Sequence, residues 1–273
     1  MIRLGHIDYS NCIPVHALLL DEPQPGVELV RDIPSALNAA LATGAIDAAP
    51  CSSIEHARHA DDYCILPGHA IGSAGPVHSI MLESLVAPVE LAGRVVAVPT
   101  ASATSVVLLR ALLELRLGVR PRYTWFNQSD ATDPADVGAA AVLRIGDAAL
   151  GRIVPAGRRA IDLGAEWHAW TGLPFAFAVW QVRRDVDSSD VERLADVLAR
   201  SRAYFAAHAE SLARRHAVPY GLSPDRLLAY WRSLHYDLDA PMQQGLLHFF
   251  GLAADLGEAP RCAALDIVAT DRS

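Results

Sequence analysis

The chain has 273 residues, 52% of them hydrophobic and 20% charged, with a formal net charge of -8. That length exceeds one minimal domain, and the composition is that of a folded chain with a sizeable core, which excludes a disordered protein. The acidic balance, with no basic patch, excludes a nucleic-acid partner, because phosphate binding needs a cationic face; an anionic ligand would have to be held by local dipoles.

No run of about 18 apolar residues is present, and the N-terminal MIRLGHIDYSN lacks the apolar centre of an export signal. No membrane partner and a cytoplasmic location are therefore expected. Cys12, Cys51, Cys64 and Cys262 have no C-x-x-C spacing and read as reduced thiols.

In chain order, IRLGHI, VELVRDI and IDAAP read as strands, each followed by a helix: IPVHALLL, PSALNAALATG and SIEHARHA. A strand-like stretch through PVHSIML then leads outward. From Pro88 a second unit begins: strand RVVAVPT, helix SATSVVLLRALLELRLG with Gly118 placed to stop it, then strands RYTWF, AAAVLRI and AIDLG. Helices GDAALG and AEWHAWTG lie between these, and FAFAVWQV leads back as a strand. Residues 190–256 carry only helical signals. Val191, Leu194, Leu198, Ser201, Phe205, His208 and Leu212 follow a 3,4 spacing that predicts one continuous face.

This order predicts an α/β fold of two lobes joined by two crossovers, PVHSIMLES and PFAFAVWQV, with the ligand in the cleft between them. The expected division is residues 1–84 and 184–273 for the first lobe, with its helical tail, and 85–183 for the second. Neither an internal repeat nor a flexible linker is visible.

Three polar clusters share one position, where a strand hands over to a helix: Ser10-Asn11, Ser52-Ser53, and the run Thr100 to Ser105, which includes Ser102 and Thr104. Free N–H groups and a positive helix end meet hydroxyls there, which suits carboxylates or phosphates. Capping alone would explain any single cluster; three at the carboxyl ends of strands point to a shared ligand site. His78 and Ser79 lie on the outgoing crossover, where His78 is either an acid–base group or a histidine bonded to a backbone carbonyl. Asp147 either caps the next helix or faces the cleft. Arg144 meets either a carboxylate ligand or an ion-pair partner. His56 and His59, spaced i, i+3, lack a third ligand nearby and read as a solvated helix face. The aromatic residues of AEWHAW and AYW read as core. No P-loop, dinucleotide fingerprint or nucleophile elbow occurs, and neither a metal nor an organic cofactor is implied.

The ordered set IDYSNCIPV, CSSIEHA, GPVHSIML, TSVVLLRALL, RIGDAAL and EWHAWTGLPFAFAVW resembles the menaquinone-biosynthesis family that contains chorismate dehydratase, the first enzyme of the futalosine route. The resemblance runs from residue 2 to about residue 183. It implies a fold like type II periplasmic binding proteins and a cofactor-independent hydro-lyase acting on a small dicarboxylate, chorismate, with oligomeric state left open. It also implies that Asn11 contacts substrate, with Ser10 beside it and Ser52, Ser79, Thr104 and Ser105 in cleft segments. Arg144 stands where the family pattern has an aliphatic residue. Asn11, Ser79 and His78 are thus the candidate catalytic residues, and Ser10, Ser52, Ser53, Ser102, Thr104, Ser105, Asp147 and Arg144 the candidate binding residues. A sister synthase of 1,4-dihydroxy-6-naphthoate carries an aspartate-rich motif where this chain has YSN. A plain solute-binding protein of the same fold remains the non-catalytic alternative.

Overall fold

A computed structural model describes residues 1–32 and 34–269. Among the described residues, ten strands form two five-stranded sheets. In the first, β1 (Ile2–Ile7), β2 (Val27–Asp32) and β3 (Ala48–Ser52) are parallel, and β10 (Phe175–Arg183) and β4 (Tyr63–Ser73) complete the order β2-β1-β3-β10-β4, with β10 antiparallel to both neighbours. The second sheet has the order β7-β6-β8-β5-β9. There β6 (Val95–Pro99), β7 (Arg122–Phe126) and β8 (Ala141–Ile145) run parallel, and β5 (Ile80–Ser84) is antiparallel to β8 and to β9 (Arg159–Asp162). Near-continuous apolar runs explain the central strands: β8 is buried at all five positions, as expected for a strand covered on both faces.

Sheet membership moves the expected lobe limits. The chain order places residues 80–84 in the first lobe, yet β5 pairs only within the second sheet; it places residues 175–183 in the second, yet β10 lies between β3 and β4. The chain therefore changes sheets at 74–79 and again at 173–174. The strand β4 lacks a sequence signal for a physical reason. Its pairing with β10 slips between Ile65 and Ala70, around Pro67 and Gly68, so the two-residue alternation is broken by a bulge.

Helices α1 (Ile13–Asp21), α2 (Pro34–Thr43) and α3 (Ser53–Arg58) connect the first four strands. In the second unit α4 (Ala103–Arg110) widens into a π-type segment at Ala111–Arg116 and stops near Gly118, whose φ of 67° is the left-handed conformation expected of a terminating glycine. Short α5 (Gly146–Leu150) and α6 (Leu163–Thr171) follow β8 and β9.

The C-terminal region is helical as expected: α7 (Ser188–His216), α8 (Pro224–Ser233) and α9 (Ala240–Asp255). The buried face of α7 runs from Val191 to Ser201 and resumes at Leu212, but His208 points to solvent and stacks on Tyr204 at 4.2 Å. One turn of the predicted face is therefore uncovered.

Both crossovers are backed by glycines. A Cβ on Gly164 of α6 would stand 2.6 Å from the Gly75 carbonyl oxygen, and one on Gly245 of α9 would stand 2.0 Å from that of Pro174. Trp167, fully buried, donates from Nε1 to Pro174 O at 3.2 Å and packs edge-to-face on Phe175 at 5.0 Å. The return crossover is thus fixed by backbone contact and an aromatic cluster.

Candidate active site

The carboxyl ends of β1, β3, β6 and β8 face one another across the two sheets, and a cavity opens between them. This is where an open α/β sheet presents free backbone groups and helix N-termini. Asn11, Ser52, Ser79, Ser102 and Ser105 all line it. None of its described lining residues is charged, so a bound anion meets no cationic side chain and relies on the N–H and O–H donors among an otherwise largely apolar lining.

The Thr100–Ser105 loop starts α4. Ser102 is its N-cap, accepting from the Ser105 N–H at 3.4 Å, and the two hydroxyl oxygens are 2.8 Å apart. The α4 N-terminus, with its unpaired N–H groups and dipole, is therefore turned toward the cavity.

The second expected helix end is used differently. Ser53 donates from Oγ to Ala176 O at 2.8 Å and lies 3.3 Å from Thr104 Oγ1, while Thr104 Oγ1 accepts the Ile54 N–H at 3.1 Å. Ser53 and Thr104 are buried and tie α3 to α4 across the lobes. They hold the cavity walls together and do not line it; Ser52 does.

Ser10 also departs from the ligand-contact expectation. Its N–H donates to Asp147 Oδ2 at 3.1 Å, its hydroxyl donates to Asp147 Oδ1, and its carbonyl accepts from Trp231 Nε1 at 2.8 Å. Burial raises the Asp147 pKa, and the two hydrogen bonds from Ser10 oppose that rise. The pair is a link between lobes at the cavity edge, and neither residue lines the cavity.

His78 and Ser79 are separated by backbone geometry. The Asp162 carboxylate accepts the N–H of Val77 and, at 2.7 Å, that of His78, and it caps α6 by accepting from Ala165 N. So held, His78 has a φ of 62°, strained for a residue with a side chain, and is exposed on the far side of the crossover beside Met81 and Arg152. Ser79 turns inward and is buried. The structure therefore does not bring His78 to the cavity.

Arg144 is also elsewhere. Its neighbour Ile145 lines the cavity, and strand alternation sends Arg144 to the opposite face. There it pairs with Asp133 and stands 3.7 Å from Glu83, while Arg152 holds Glu83 at 2.7 Å and Asp133 at 2.8 Å. The expected ligand contact is replaced by a partly buried ion quartet, in which Arg144 and Glu83 are the buried members. His56, expected on a solvated face, is fully buried beside Phe250; His59 is exposed near Glu55 and Asp62. Among the described residues no group of three or more His, Cys, Asp or Glu side chains could hold a metal, and no helix is long and apolar enough to cross a membrane.

Sequence reasoning missed Tyr9, Asn38 and Gly146 in the lining and Tyr230 behind it. Tyr9 sits inside the quoted DYSN motif, and Asn38 is the one amide in an alanine-rich helix, a signal that was available. Gly146 has a φ of 62° and donates from N–H to Ser79 O at 2.8 Å, which explains a glycine directly after β8. Tyr230 and Trp231 are core residues as expected, but each also places its polar tip on a cleft segment.

The menaquinone biosynthesis family model matches residues 2–255. A chorismate dehydratase of Thermus thermophilus is 32% identical over 90% of this chain and 93% of its own length. A chorismate dehydratase of Campylobacter jejuni is 31% identical over 64% of each chain. Among solved structures, protein AF1704 from Archaeoglobus fulgidus superposes with a TM-score of 0.76 at 20% identity, covering 94% of this chain and 97% of that one. The alkanesulfonate-binding protein SsuA from Xanthomonas axonopodis pv. citri, bound to MOPS, does so with a TM-score of 0.71 at 16% identity, covering 98% of both. The structural likenesses establish the periplasmic-binding-protein-like fold, and the match along nearly the whole sequence places this chain in the menaquinone biosynthesis family.

Proposed function

We propose that this chain is a chorismate dehydratase, a cofactor-independent lyase that converts chorismate to 3-[(1-carboxyvinyl)oxy]benzoate and water. The observation that carries the reading is the chain-long similarity to proteins named chorismate dehydratase. The cavity supports it, because hydroxyls, the Asn11 and Asn38 amides and a helix N-terminus are groups that can hold a dianion.

In the proposed reaction the ring hydrogen beside the ether leaves as a proton, acidified through the conjugated ring carboxylate. Its electron pair closes the new ring double bond, the neighbouring C–O bond breaks, and the hydroxyl departs with its pair to combine with a proton as water. Negative charge collects on the ring carboxylate before the hydroxyl leaves. The α4 N-terminus, with Ser102 and Ser105, stabilises that charge without reorganising. Asn11 and Ser79 hydrogen-bond the departing hydroxyl.

The base is best supplied by the substrate's own enolpyruvyl carboxylate. His78 is outside the cavity, and both Asp147 oxygens are occupied by Ser10. The protein then contributes placement more than proton affinity. Incubation with chorismate should produce an aromatic absorbance, and Asn11→Ala should lower kcat roughly a hundredfold or more while the melting temperature moves by only a few degrees. Binding of chorismate without turnover would favour a solute-binding protein instead.

A further inference from the structure

Tyr230 lies on α8, outside both sheets, and is 3% exposed. Its hydroxyl donates to Ser79 Oγ at 2.9 Å. Burial raises the phenol's pKa, so it keeps its proton, although its hydrogen bond to Ser79 and its interaction with the Asn11 amide act in the opposite direction. A serine hydroxyl that accepts this bond has its own proton left to donate, and Ser79 lines the cavity. The Ser79 carbonyl is pinned as well, by the Gly146 N–H at 2.8 Å.

At the other end of the arrangement is Asn11. Its amide stands beside the same phenol, and its Oδ1 is buried with no hydrogen-bond partner among the described residues. An unmatched acceptor of this kind is costly unless a ligand completes it. The three side chains thus present one acceptor, Asn11 Oδ1, and one donor, the Ser79 O–H. An alcohol, which donates once and accepts, is the group that satisfies both.

We infer that Tyr230 is a positioning residue: it fixes the Ser79 hydroxyl as a donor toward the cavity, so that Asn11 and Ser79 jointly hold the substrate hydroxyl that departs. This inference rests on the dehydratase reading. It also gives the C-terminal helices a part in the site, because α8 is held to both lobes, by Trp231 to Ser10 O and by Arg226 to Leu150 O.

The test is steady-state kinetics with chorismate on the wild type, Tyr230→Phe, Ser79→Ala and the double variant, with thermal unfolding of each. Tyr230→Phe keeps the ring and should lower kcat roughly ten- to a hundredfold, leave KM within about twofold, and add nothing to Ser79→Ala. An unchanged kcat, a loss confined to KM, or independent multiplicative losses overturn the positioning role alone, because the wild type would still turn over chorismate. A wild type that does not turn over chorismate overturns the dehydratase reading and this role with it. Should Tyr230→Phe not fold, 3-fluorotyrosine at position 230 supplies a 19F resonance that should shift on Ser79→Ala. A resonance indifferent to that change overturns the inference.

Discussion

The two lobes bury polarity in opposite ways. The first lobe keeps neutral histidines inside. His16 accepts from Trp180 Nε1 at 2.9 Å, so its other ring nitrogen carries the proton and donates to His6 Nδ1 at 2.8 Å, and His6 Nε2 then faces Asp8 at 3.3 Å. Burial pushes His6, His56 and His69 down to about 4 and holds His16 well below its ordinary range. The second lobe keeps full charges, in the quartet of Glu83, Asp133, Arg144 and Arg152, with Arg144 also 5.4 Å from the Phe126 ring centre. The cavity between them is lined by neither. Charge is buried where a fixed partner matches it, and the ligand's place is left to dipoles that can accept charge as it arrives.

Removing one member of the quartet should give the largest effect of any single substitution on stability. Arg144→Ala leaves Glu83, with a side chain 2% exposed, short of a partner, and should cost about 3–5 kcal/mol in urea unfolding. If the variant folds, its KM should stay near the wild-type value; a KM raised tenfold with stability unchanged would return Arg144 to the ligand.

The next effect separates the lobes by pH. A histidine with a depressed native pKa binds its proton more readily when unfolded. Its stabilisation is complete above pH 6.5 and is lost as pH falls from there toward 4, by up to about 1.4 kcal/mol per pH unit for each histidine. Asp147, raised, acts with the opposite sign but is one group against several. Urea midpoints should therefore fall between pH 6.5 and 4.5, with probes in the first lobe responding first. A flat profile would remove the buried neutral histidines from the account.

The smallest effect is at the cavity wall. Ser102→Ala removes the α4 cap, costing about 1 kcal/mol, and should weaken chorismate binding more than it weakens the fold. Equal losses in both would make the serine a cap and nothing else.

Much of this was legible in the sequence because strand ends announce themselves. The polar clusters after β1, β3 and β6 fall at the cavity, and Asn11, Ser52, Ser102 and Ser105 line it. What could not be read is which way adjacent residues face. His78 and Ser79 look alike in GPVHSIML until Asp162, more than eighty residues later, fixes the backbone that separates them. Ser53 and Thr104 carry suitable hydroxyls but spend them on each other's lobe. Arg144 and Ile145 differ by one position and therefore by one face of the sheet. The role of Tyr230 was hidden because an aromatic residue at helical spacing reads as filling, and its oxygen matters only once the tail helix is folded against Ser79.

The paired glycines at the crossovers set a limit on how this architecture can diversify. Because main chain touches main chain at Gly75–Gly164 and Pro174–Gly245, the width of the mouth is written in the backbone. New side chains on the walls can reshape what is admitted, but even a methyl group at either joint would act as a wedge and alter the span itself.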